Sequence, residues 1–139
     1  MIRKSDNTTH SKLTEPRYFN RELSWLAFNE RVLDQAFSEK YPLLERTRFL
    51  SFVSSNLDQF YEIRVAGLMQ KVDGGITRRS LDGSSPEDLL HEVRKRAHSM
   101  SHREYECWRN HLQPELAKNS IRFKPCLLYT SPSPRDGSI

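Results

Sequence analysis

A chain of 139 residues supports one modest domain with a single core, and its 36% hydrophobic and 29% charged content describes a polar-surfaced globular protein. No apolar run approaches the length of a membrane-spanning helix, and the opening MIRKSDNTTHSKLTEP lacks the apolar segment of a secretory signal, so a cytoplasmic location is expected. Two cysteines, Cys107 and Cys126, give neither a disulfide framework nor zinc spacing, and a net charge of +4 suits an anionic partner without specifying one.

In chain order, residues 1–16 read as a flexible polar lead-in ending at Pro16. Asn20 is a good N-cap, and NRELSWLAFNERVLDQAF predicts a first helix from there to about Glu39. At about 100° per residue, Leu26, Leu33 and Phe37 make its apolar stripe, flanked by Trp25, Val32 and Ala36. Asn29 falls inside that stripe, where an unpaired amide costs roughly 1–3 kcal/mol. It therefore either hydrogen-bonds a neighbouring helix or helps to build a site.

Pro42 disfavours helix at Tyr41 and ends this element. LLERTRFLSFV predicts a second helix with Leu43, Leu50 and Val53 on one side and Glu45, Arg46 and Arg48 outside. A third is expected to open at Ser55, which stands at capping-box spacing from Asp58, and to close on Gly74–Gly75. After the loop ITRRSLDGS comes the clearest start signal, with Ser85 at the cap, Pro86 at N1 and acids in the first turn. Leu90, Val93, Ala97, Met100, Trp108 and Leu112 then keep one face apolar, and Pro114 either kinks this helix or begins another. No strand is expected before IRF near residue 121. The fold class is all-α, a small antiparallel helical bundle.

CLLYTSPSPRDGSI departs from this pattern. Cys126 to Asp136 match the conceptual translation of a common transposase sequencing adapter, so residues 126–139 are read as an artefact and set aside.

No Gly-rich phosphate loop, H-E-x-x-H or paired CxxC is present. His98 and His102 stand i,i+4 with His91 on the same stripe, but no acid or thiolate completes a metal set there, and they read as surface residues. His111 and Cys107 read as packing residues, and no metal is expected.

In SNLDQFYEIRVAG, Leu57, Tyr61, Val65, Leu68 and Val72 form a core face. A second stripe holds Asn56, Phe60, Ile63 and Gly67, with Arg64 beside it. An amide, a ring, a branched aliphatic side chain and a glycine suit a flat, base-sized ligand, with Arg64 meeting negative charge. The alternative is that this stripe packs on another helix. Basic residues in RVAGLMQKVDGGITRRS and HEVRKRAH are interleaved with acids, so no specific nucleic acid is expected.

The motifs ELSWLxFNxRVL and SNLDxFYxxR, in this order across residues 17–125, resemble the amino-terminal region of bacterial polyphosphate kinase. The resemblance implies a small helical domain over the nucleotide tunnel, with Asn56 as an ATP-binding residue. Phe60, Ile63 and Arg64 as nucleotide-lining residues remain inferences from helix geometry. Asn29, which has no implied catalytic role, is expected to hydrogen-bond between helices and orient the one that carries Asn56.

The complete enzyme would transfer the ATP terminal phosphate reversibly, with Mg²⁺, to a histidine and then to polyphosphate. A histidine nucleophile splits one phosphoryl transfer into two. Those histidines belong to later domains, and none of His10, His91, His98, His102 or His111 takes that role, so this fragment alone is expected to be inactive. The resemblance further implies ATP/ADP as partners, polyphosphate as a partner through the domains missing from this chain, a homo-oligomer as the full-length enzyme, and a location in the cytoplasm or at the inner membrane face. The competing reading is a freestanding helical module binding a protein or nucleic acid.

Overall fold

The computed structural model describes residues 18–124; the lead-in, His10, Cys126 and the adapter-like stretch lie outside them. All regular structure among the described residues is helical, in three packed rods.

The first rod is α1, Arg21–Phe37. Asn20 is extended, and its Oδ1 accepts the Glu22 and Leu23 amides at 2.9 and 3.2 Å, which satisfies two of the orphan donors that start any helix. At the other end, Arg46 Nε donates to the Ala36 carbonyl at 2.9 Å and Nη2 to the Phe37 carbonyl at 3.4 Å. The expectation that Arg46 faces outward is therefore corrected, since this side chain is buried. Leu43, Arg46, Leu50 and Val53 share one stripe, so position overrides residue type, and the carbonyl ends of α1 supply the polar partners that burial requires.

The second rod is continuous. The expected break at Ser55 does not occur: α2 (Leu43–Phe60) passes through a π-helical turn at Tyr61–Val65 into α3 (Ala66–Asp73). The buried phase Val53, Leu57, Phe60 runs straight across Ser55, which stays exposed on the helix surface. The next buried residue is Val65, a step of five that one π turn accommodates. Phe60 thereby replaces Tyr61 in the core, and Tyr61 turns outward. The rod closes at Gly74 and Gly75, the latter at φ 67°, as the glycine pair predicts.

The third rod starts where expected, with Ser85 Oγ accepting the Asp88 amide at 3.1 Å and Pro86 in the first turn of α4, Pro86–Glu106. A second π-helical turn, Cys107–Leu112, leads into α5, Gln113–Lys118. It again matches a five-residue buried step, Cys107 to Leu112, and lies directly ahead of Pro114, whose ring has no amide hydrogen to give. Residues 121–124 form no strand.

Ladders of contacts fix the topology. Ala36–Arg46, Asn29–Val53, Trp25–Phe60 and Glu22–Arg64 descend α1 as they climb the second rod, so these two are antiparallel. Asn29–Met100, Asp34–Arg103 and Phe37–His111 rise together, so α1 and the third rod are parallel. The result is an up-down-up bundle. Its core is drawn from all three rods, with Leu26, Leu33, Val53, Val65, Val93 and Met100 almost fully enclosed.

Candidate functional site

The seam between α1 and the second rod collects the residues singled out in the sequence. Asn29 is 0% exposed. Its Nδ2 donates to the Val53 carbonyl and contacts the Met100 sulfur, both at 3.3 Å, while its Oδ1 accepts from Asn56 Nδ2 at 2.9 Å. The Val53 carbonyl can only accept, so it fixes which end of the Asn29 amide points where. That choice sets the Asn56 amide in turn, with its nitrogen toward Asn29 and its oxygen away from it. Asn56 is half-buried, and its Oδ1 has no hydrogen-bond donor among the described residues.

Farther along the seam, Phe60 is only 3% exposed and stacks on Trp25 with ring centroids 4.6 Å apart and planes 7° from parallel. It is a core residue with one edge on a shallow hollow of about 200 Å³, which Trp25, Gln59, Ile63 and Arg64 also line. Ile63 is 69% exposed, and Arg64 reaches Glu22 at 3.8 Å. A Cβ built on Gly67 meets no atom within 4 Å, so packing among the described residues does not demand glycine there. The structure thus gathers Phe60, Ile63 and Arg64 around one hollow and sets Asn56 one turn before it, tied to Asn29.

Two features escaped the sequence reading. Trp25 was assigned only to a flank of the α1 stripe, yet it floors the hollow. The second is Glu104: Ala97, Met100, Glu104 and Trp108 are spaced at three and four residues, which places it on the apolar face of α4. It accepts a hydrogen bond from Ser54 at a cavity of about 410 Å³ between the second and third rods. Burial first, and the Asp58 charge second, push its carboxyl up to about 7. Of the two expected packing residues, Cys107 is buried, and burial raises its thiol to about 11, which removes it from nucleophilic chemistry near neutral pH. His91, His98 and His102 are exposed, as expected, whereas the expectation that His111 packs is corrected: it is exposed too and meets only the edge of the Phe37 ring, at the rim of the core.

Residues 18–124 match the polyphosphate kinase N-terminal domain. The chain is 57% identical over 110 residues to a polyphosphate kinase of Erythrobacter litoralis, covering 78% of this chain and 15% of that protein. It is 53% identical over 110 residues to the Helicobacter pylori polyphosphate kinase, covering 78% and 16%, and 47% identical over 106 residues to that of Pseudomonas aeruginosa, covering 76% and 15%. It spans about 15% of the length of these curated relatives. A helical bundle with this seam, matched over the whole of its described length, belongs to the polyphosphate kinase N-terminal domain family.

Proposed function

We propose that this chain is the ATP-positioning domain of a polyphosphate kinase, in which the complete protein moves the terminal phosphate of ATP reversibly to polyphosphate through a phosphohistidine. The carrying observation is the Asn56 amide, locked by Asn29 with its oxygen free to accept from an adenine amino group and its second N–H free to donate to a ring nitrogen. Farther along the same rod, Ile63 supplies an apolar surface to the hollow, Phe60 and Trp25 stiffen its floor, and Arg64, 3.8 Å from Glu22, brings positive charge to its rim. The 200 Å³ hollow is smaller than the roughly 300–1,000 Å³ of a typical ligand site, so this domain contributes one wall of an enclosure and others complete it. Catalytic histidines and Mg²⁺ are assigned to the other domains, and the domain alone turns nothing over. Domain limits of 1–16, 17–125 (the helical domain with the start of the next one) and 126–139 belong to the same reading, as do an oligomeric complete enzyme, ADP as the partner product and a cytoplasmic or peripheral membrane location.

Titration of ATP into the ¹⁵N-labelled chain tests this reading. Shifts centred on Asn56, Ile63 and Arg64, abolished by Asn56→Ala with the helical spectrum preserved, are expected. Shifts scattered over the surface, or unchanged in that variant, would sink it.

A further inference from the structure

The seam does not end at Arg64. Glu22, which pairs with Arg64, also lines a cleft of about 490 Å³ between the start of α1 and the loop from Gly74 to Ser85. Four cations line that cleft, Arg21, Lys71, Arg78 and Arg79, and all four are exposed. None of them forms an ion pair among the described residues. A second hollow, of about 270 Å³, shares Lys71, Arg78 and Arg79 with it.

Two acids, Glu22 and Asp82, also line the cleft and offset only part of the charge of the four cations. Glu22 faces Arg64. Asp82 accepts from Asn20 at 3.0 Å, from Ser84 at 2.7 Å and from Ser80, and these hydrogen bonds, led by Ser80, hold its carboxyl down near 2. Arg79 also donates to the Gly83 carbonyl at 2.7 Å, which steadies the loop. The cleft is thus a concave surface with more positive charge than its own acids offset, on a loop tied to the helix start. Such a surface concentrates anions and holds them through charged hydrogen bonds.

We propose that this cleft binds a linear inorganic phosphate chain. Arg21 on the α1 side and Lys71, Arg78 and Arg79 across from it, the last three shared with the neighbouring hollow, suit a ligand that carries negative charge at every repeat and continues past one pocket. A single phosphate would engage only part of the set. The α1 seam runs from Asn56 through Arg64 and its partner Glu22 to this cleft, so the cleft lies on the same seam as Asn56. The choice of ligand rests on the function proposed above; the excess of charge does not.

The 139-residue chain, mixed with fluorescently end-labelled linear polyphosphate near 0.15 M salt, gives the test by anisotropy. The triple variant Lys71→Gln, Arg78→Gln, Arg79→Gln is expected to weaken binding at least about tenfold. A charge-matched control on other exposed cations, Lys40→Gln, Arg94→Gln, Lys95→Gln, should stay within about twofold of the parent. Equal losses in both variants, no binding by the parent, or tighter binding of single-stranded RNA or phosphatidylglycerol vesicles through the same cations would overturn the proposal. Asn56→Ala separates the two ideas. Cleft-dependent polyphosphate binding without ATP binding removes the nucleotide reading alone, and Asn56-dependent ATP binding without cleft-dependent polyphosphate binding removes the cleft.

Discussion

Asn56 on α2 donates its side-chain amide to the oxygen of Asn29 on α1 across 2.9 Å, and the Asn29 nitrogen is itself held by the Val53 carbonyl. The helix that receives the orienting contact also supplies the carbonyl that orients the donor's partner. The loop of dependence is closed, and both amides have one favourable orientation.

Energetic coupling between the two asparagines follows. Asn29→Ala should lower stability by about 1–3 kcal/mol, since it empties a fully buried polar position. Asn56→Ala should cost roughly 1 kcal/mol by leaving the Asn29 oxygen short of a donor. In a double-mutant cycle read by urea unfolding, the pair should show a coupling of about 0.5–2 kcal/mol. Strictly additive losses would mean that the contact does not exist in solution.

Arg46 offers a test of the buried cap on α1. Arg46→Ala should destabilise by about 2 kcal/mol or more, because it uncovers the Ala36 and Phe37 carbonyls and leaves a cavity beneath the helix end. Arg46→Lys should recover little, since a single ammonium cannot reproduce the fork that meets two carbonyls. Thermal melts compare the three proteins directly, and a lysine variant as stable as the parent would refute the capping account.

Glu104 predicts the pH dependence. Its folded value of about 7 lies above its ordinary 4.5, so the folded chain keeps a proton that the unfolded chain has lost. This contribution is complete below about 4.5, falls as pH rises through 7, and is absent above it. Because the group is only half-buried, solvent screening leaves on the order of 1 kcal/mol between pH 5 and pH 8. Glu104→Gln should remove that slope and raise the melting temperature at pH 8 by a few degrees. A variant that keeps the slope would assign it to another group.

Gly67 separates folding from recognition. With open space at its Cβ position, Gly67→Ala should stabilise α3 by about 0.5–1 kcal/mol. If a nucleotide or a neighbouring domain closes on this face, the same substitution should weaken ATP binding in the complete enzyme. Gains in both stability and affinity would leave the glycine without a recognition role.

Much of this architecture is readable from local rules. Asn20, Ser85 with Pro86, and the Gly74–Gly75 pair mark helix ends that need no knowledge of the rest of the molecule. Asn29 announces itself as a polar residue on an apolar stripe, but its partner is a tertiary fact. Arg46 and Glu104 follow the same logic: each stands on an apolar stripe, and there position outranks charge. Ser55 misled for a related reason: a cap signal is permissive, and an uninterrupted apolar phase outranks it. The Phe60–Tyr61 exchange was beyond a fixed period of 3.6, because the π turn changes the phase within the element. For the site, the residues of the stripe were identifiable, whereas their division into an enclosed floor at Phe60 and an open rim at Ile63 needed the packing.

The two π turns also say where this domain has slack in its length. Each holds one residue more than an α-helical path between the same buried neighbours needs, at Tyr61–Val65 and at Cys107–Leu112. Loss of one exposed residue there, such as Glu62, lets the turn relax to ordinary α geometry with Phe60 and Val65 still facing inward. The same loss between Leu26 and Leu33 rotates everything beyond it by about 100° and turns half the helix's core outward. Within this bundle, single-residue shortening is therefore absorbed next to the seam and near the chain's exit, and is ruinous in the straight helix that braces both.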